Sequence, residues 1–285
     1  MIALVAFVVG AAASGLLWRL MRGEWASAPS LQRTNYRGHA LPIAAGVMIV
    51  LATLVAAGAY WTVVRWGGLQ PSELRRGAPV FATAIVALGF GLLGLLDDLV
   101  GSTTTKGFRG HLGALRHGTV TTGSVKLAFG GLVAVLAAPG DGGTGALVSG
   151  ALLIALAANL ANLFDRAPGR VIKVGAVGAL VIAVLGAPGW WLTGPMVILG
   201  GGVGMLLPDL REQCMLGDTG ANVLGAALGL GLATSLGGTG RWVAVAVLFG
   251  LNAASEFVSF SRVVDATAPL RWLDRAGTLP ERRVG

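Results

Sequence analysis

The sequence predicts an all-α integral membrane protein, a polytopic bundle of about nine transmembrane helices with its N-terminus outside and its C-terminus cytoplasmic. Three observations lead there. Of the 285 residues, 54% are hydrophobic and only 12% charged, against about 25% charged in soluble domains. The apolar residues gather in nine stretches, at about 1–18, 40–64, 79–96, 125–138, 145–163, 171–187, 190–207, 219–236 and 241–260. The cations are also unevenly placed: in this threading, 17 of the 21 Lys and Arg fall on the cytoplasmic side, the bias of the positive-inside rule.

A span needs about 20 apolar residues, with roughly 17 tolerated. The first stretch is expected to be a retained helix, not a signal peptide, because Arg19 and Arg22 follow its apolar run instead of preceding it. The second and third have full length, and Tyr60, Trp61 and Trp66 mark an outer end. The fourth is short and borrows Thr122 to Ser124. Trp190, Trp191 and Trp242 lie at further outer ends, Trp18 and Trp25 near inner ones. Most of the 46 glycines lie inside the apolar runs. Gly200, Gly201, Gly202 and Gly204 suit either close helix packing or a broken helix lining a cavity. Residues 1–260 form one membrane domain and 261–285 a basic cytoplasmic tail, in which Leu270 to Arg275 is expected on the membrane surface.

The net charge of +8 reads first as membrane orientation, then as attraction to anionic lipid or a phosphorylated substrate. Nucleic acid is a poor third, since no basic stripe lies outside the short loops. Cys214 is the only cysteine, which excludes an intrachain disulfide and a thiolate cluster. His39, His111 and His117 are too scattered for a zinc site.

The chemically informative residues sit at inner helix ends. Asp97 and Asp98 are the first charges after the uncharged run from Phe81 to Leu96. Two adjacent carboxylates repel, so a metal ion or a lysine is expected beside them. Asn159, Asn162 and Asp165 recur every third residue and share a helix face; they suit either a site or polar glue between helices. Asp218, in Gly217-Asp218-Thr219-Gly220, stands where an N-cap would stand, and that position also suits magnesium. The basic complement is Lys106, Arg109, Arg116 and Lys126, with Gly107 and Gly110 allowing close approach to phosphate. Carboxylates for a hard cation together with cations for phosphate suggest phosphoryl transfer beside the membrane.

Four segments, in order, resemble the polyprenyl-phosphate N-acetylhexosamine-1-phosphate transferases, the superfamily that includes phospho-N-acetylmuramoyl-pentapeptide transferase. They are Asn35-Tyr36-Arg37-Gly38 with Pro42; Leu95-Leu96-Asp97-Asp98 with Lys106-Gly107; Asn159 to Asp165; and Met215-Leu216-Gly217-Asp218-Thr219-Gly220. The resemblance spans about residues 1–260. It implies transfer of a sugar-1-phosphate from a UDP-activated amino sugar to a polyprenyl phosphate, with UMP released and Mg2+ as cofactor, at the cytoplasmic face of the plasma membrane in cell-wall (peptidoglycan) biogenesis. It also implies that Asp218 is the metal ligand and that Asp97, Asp98 and Asp165 are catalytic. Lys106, Arg109, Asn159 and Asn162 then bind substrate, and a homodimer is the assembly to look for. The sequence departs from the family at Pro168, which replaces a second aspartate, at Gly101, and in having no histidine after His117. Those departures favour a small UDP-N-acetylhexosamine over a peptide-bearing nucleotide. They also keep open a non-catalytic relative that binds lipid phosphate or an envelope-assembly partner. A transporter fits less well, since only Glu256 lies within an apolar run, and it too sits near the inner end.

Overall fold

The computed structural model describes residues 1–66, 77–100, 122–140, 142–186 and 189–280. Each apolar stretch of the sequence becomes a helix: α1 (Ile2–Ser27), α2 (Val47–Trp66), α3 (Gly77–Val100), α4 (Thr122–Ala137), α5 (Gly143–Phe164), α6 (Arg170–Leu185), α7 (Gly189–Leu210), α8 (Gly217–Ser235) and α9 (Gly238–Ser255). Between α1 and α2 lies a short hairpin of β1 (Gln32–Thr34) and β2 (Ala40–Pro42), with Arg33 opposite Leu41. After α9 come two short helices, α10 (Phe260–Ala266) and α11 (Ala268–Arg275). The protein is an all-α membrane protein.

Among the described residues, four helices are long and apolar enough to cross a membrane: Ile2–Ser27, Pro79–Val100, Gly143–Phe164 and Trp190–Leu210. A fifth span is available if α9 and α10, bent by 92° at their junction, count as one. The apolar segments Val47–Val63 and Val125–Ala137 are shorter. Helix α8 has the length but not the hydropathy, and its position explains why. It is buried between α2, α3, α5, α6 and α7, so its surface meets protein rather than lipid and small residues serve better than large apolar ones.

Its glycines allow that central position. A Cβ on Gly225 would lie 2.7 Å from Ala158 Cα on α5, and one on Gly220 would lie 2.9 Å from Gly46 Cα. Helix α7 runs unbroken through Gly200 to Gly204. Gly200 faces the Phe7 backbone and Gly204 the Ala11 carbonyl on α1, so of the two expectations for this run, close packing is the one observed.

The tail is docked. Arg170, at the start of α6, donates from Nε to Asp274 Oδ1 (2.7 Å), from Nη2 to Asp274 Oδ2 (2.9 Å) and from Nη1 to Ser261 Oγ (2.8 Å). Lys173 Nζ donates to the carbonyls of Leu273 (2.9 Å), Asp274 (2.8 Å) and Ala276 (2.7 Å), the orphan acceptors at the end of α11. Phe164 and Phe260 stack with centroids 5.1 Å apart. Leu270, Trp272 and Leu273 stay exposed on the outer side of α11, as a surface-seated segment requires. Losing one partner of a buried, bidentate ion pair leaves the other charge uncompensated, at a cost of about 3 kcal/mol. Asp274→Ala should therefore lower the melting temperature and open residues 256–280 to protease; parental cleavage and melting would make the docking incidental.

Candidate functional site

The site assembles where α3, α4, α5 and α8 end or begin together. Gly94 on α3 sits against the backbone of Asp218 and Thr219, which brings the last turn of α3 onto the first turn of α8. There the Asp98 carboxylate, 8% exposed, accepts hydrogen bonds from the backbone N–H groups of Asp218 (2.9 Å) and Thr219 (3.0 Å) and from the Thr219 hydroxyl (2.6 Å). The opening amides of a helix lack intrahelical partners and carry partial positive charge. Asp98 thus caps α8 from a different helix.

That corrects the expected capping role of Asp218. Leu216 occupies the cap position with no side-chain bond, and Asp218 lies inside the first turn. Its carboxylate is therefore available to other partners. It accepts from Asn162 Nδ2 of α5 (3.1 Å) and pairs with Lys126 Nζ of α4. The same ammonium lies 3.2 Å from Asp97 Oδ2. The cation demanded by the clustered carboxylates is Lys126, a point charge with three donors.

Beside this group opens a cavity of about 380 Å³, lined by Asp98, Asp165, Pro168, Asp209, Glu212 and Asp218 among others. Asp165 follows the last turn of α5. Burial, reinforced by the charges of Asp209, Asp218 and Asp98, raises its carboxyl well above the usual carboxylate range. Asp209 Oδ2 accepts the Gly169 N–H at 2.6 Å, which ties the start of α6 to the end of α7. Glu212 is gripped by Asn35 Nδ2 (2.9 Å), Tyr36 Oη (3.0 Å) and the Arg37 guanidinium. Backbone bonds from Met215 N–H to Pro42 (2.8 Å) and from Gly46 N–H to Leu216 (3.0 Å) fasten the hairpin to the 211–216 connection. Arg33 Nη2 donates to the Asp98 carbonyl at 3.1 Å, completing the end of α3. Burial, with Asp209 nearby, pushes the Cys214 thiol well up, so it is not a ready nucleophile.

The structure brings together Asp97, Asp98, Asn162, Asp165 and Asp218. Asn159 lies elsewhere: its Nδ2 donates to Asn252 Oδ1 on α9 at 2.7 Å, and Asn252 in turn bonds the Leu156 carbonyl at 3.1 Å. It acts as polar glue between α5 and α9. Lys106 and Arg109 lie outside the described residues. Sequence reasoning listed Lys126 among several cations without seeing it as the bridge; a lysine opening a short apolar helix was the available signal. It passed over Asp209 and Glu212, although both are acids in an otherwise short connection. Arg170, which opens α6 after the short connection from Asp165, is the buried anchor of the tail.

For a divalent ion the test is the donor set. Among the described residues no group of three or more His, Cys, Asp or Glu surrounds a metal position. Magnesium commonly takes one or two carboxylates and completes its shell with water and phosphate oxygens. Asp97 and Asp218 converge on one cation, the Lys126 ammonium, which stands in for such an ion, so the pair fits. No protein-family model matches the chain, and no curated protein matches it significantly.

If Asp98 serves α8 as a cap, its loss should register as instability. Asp98→Ala strands buried amides at a cost of about 1–3 kcal/mol, whereas Asp97→Ala, whose carboxylate is 27% exposed, should melt nearer the parent. Equal melting of Asp98→Ala and parent would show that the cap contributes nothing.

Proposed function

We propose that the protein transfers a sugar-1-phosphate, from a UDP-activated N-acetylhexosamine, to a polyprenyl phosphate in the plasma membrane, releasing UMP for cell-envelope glycan synthesis. The observation that carries this reading is the convergence of Asp97, Lys126, Asn162 and Asp218, from four separate helices, beside the acidic cavity. Soluble-loop carboxylates rarely need so much scaffold; a phosphoryl-transfer site does, because its catalysis is mostly positioning and charge neutralisation.

Asp97 and Asp218 would hold Mg2+, whose contribution when bound is to neutralise the diphosphate. Asn162 fixes the rotamer of Asp218. Lys126, now paired with both carboxylates, would then have a mobile point charge to offer a phosphate oxygen. Asp98 positions Asp218 through the cap rather than serving as a base. None is required: the lipid phosphate has a second pKa near ~6 and is largely dianionic at pH 7. In the reaction an oxygen of the lipid phosphate bonds to the β-phosphorus of the UDP-sugar, and the bond from that phosphorus to the bridging oxygen breaks, which stays with UMP. Pro168 on the cavity wall supplies neither a carboxylate nor an N–H, and this favours a small amino-sugar nucleotide over a peptide-bearing one. The reading includes nine spans, with the N-terminus outside and the site at the cytoplasmic face.

A second reading, a non-catalytic relative that binds lipid phosphate, is favoured by one observation: Lys126 already neutralises the two acids the metal would need.

Magnesium-dependent UMP release, assayed with polyprenyl phosphate and a panel of UDP-sugars, separates the two. UDP-N-acetylglucosamine should be turned over in preference to UDP-muramoyl-pentapeptide, and Asp218→Asn should lower the rate at least about a hundredfold. Release from no UDP-sugar would leave the non-catalytic reading. For orientation, Thr239→Cys should react with an impermeant maleimide on intact cells and Arg166→Cys only after permeabilisation; the reverse pattern would overturn the nine-span threading.

A further inference from the structure

The connection leaving α7 has two chemically opposite sides. Asp209 and Glu212 face the acidic cavity. Pro208, Arg211 and Gln213 line a second cavity on the other side, about 570 Å³ in volume, between α1 and α7. Its remaining polar wall is Arg19 and Arg22, one helical turn apart on α1. Ala11, Ala12, Gly15 and Leu16 continue the same face of α1 towards the middle of the helix, opposite Gly204 and Leu207. Small residues hold the two backbones almost in contact there: Gly204 meets the Ala11 carbonyl, and a Cβ on Gly15 would stand 3.5 Å from the Gly204 carbonyl oxygen. The result is a smooth apolar trough that ends in three guanidinium groups.

Those arginines differ from others in the protein. Arg37 is paired with Glu212 and Arg170 with Asp274. Arg19, Arg22 and Arg211 make no side-chain hydrogen bond or ion pair among the described residues. Three like charges brought to one cavity repel unless an anion joins them. Planar guanidinium forks match phosphate oxygens, and basic pockets between membrane helices, at headgroup depth, suit anionic headgroups. We propose that this cavity binds the phosphate headgroup of an anionic phospholipid, with one acyl chain lying along the α1–α7 trough. The site is separate from the acidic cavity, from which the 208–213 segment divides it, and does not depend on the transfer reaction.

The probe is dioleoyl-phosphatidylglycerol, offered to the full-length protein in an equimolar mixture with dioleoyl-phosphatidylcholine and read as retained lipid by native mass spectrometry. The parent should keep phosphatidylglycerol selectively. The triple variant Arg19→Gln, Arg22→Gln, Arg211→Gln should keep it roughly a hundredfold more weakly, in line with the additive contribution of surface cations, and the matching Arg→Lys triple, which keeps the charge but loses the forks, should bind between the two. On the unaltered protein, a phosphatidylglycerol carrying a photoreactive acyl chain should label peptides within residues 11–22 and 204–213. Labelling elsewhere, equal retention of both lipids, or an unaffected Gln triple would each overturn the proposal. Displacement of the lipid by millimolar inorganic phosphate would do so too, by assigning the arginines to a free anion.

Discussion

Everything at the site end of this molecule follows from the difficulty of collecting carboxylates at the edge of a low-dielectric bundle. Asp97, Asp98, Asp165, Asp209 and Asp218 come from three helices and a connection, and each unpaired charge there is expensive. The fold meets the problem in three ways. Asp98 spends its charge on the amides opening α8. Asp97 and Asp218 share Lys126. Asp165 is shifted towards its protonated form. Helix α8 is where these solutions meet; it is enclosed by α2, α3, α5, α6 and α7 and is not among the helices long and apolar enough to cross a membrane.

The carboxylates therefore divide by task, although the sequence presents them as equals. Adjacent Asp97 and Asp98 point to different partners, one to an ammonium and the other to a helix end. Such a division turns an apparent catalytic pair into one ligand candidate and one positioning residue. The 208–213 segment makes a similar division in space, with acids towards one cavity and Arg211 towards another. An acidic and a basic lining have opposite electrostatic preferences, and a single turn of chain keeps the two environments apart.

The helices were legible because apolar runs of near-span length leave little freedom in lipid: all nine stretches became helices, although α1 runs past its apolar boundary to Ser27 and α2 starts only at Val47, after β2 has taken Ala40–Pro42. Their membrane-crossing character was less legible: the apolar segments of α2 and α4 are shorter than a span, α6 has 16 residues, and α8, enclosed by other helices, does not need a lipid-facing surface. At the site, the need for a cation beside Asp97 followed from charge alone, and Lys126 meets it. The cap was assigned to the wrong aspartate because glycine-aspartate-threonine before an apolar run is a local signal, whereas the real cap comes from residue 98, 120 positions away in the chain. Periodicity placed Asn159 with Asn162, yet helical spacing of three carries a residue around the axis far enough for α9 to claim it. Arg170 and Asp274 are separated by 104 positions, and no local pattern announces such a pair.

The central claim is that Lys126 is the cation holding Asp97 and Asp218 together. A thermal-unfolding cycle built from Lys126→Met, Asp218→Asn and the double variant tests it most directly. Each single change strands part of a charge network, while the double change removes opposite charges together. The account predicts that both single variants melt well below the parent and that the double variant melts above the less stable of them, with a coupling of about 1–3 kcal/mol. Strictly additive losses would contradict it, because the two side chains would then be independent and the acidic helix ends would need another explanation.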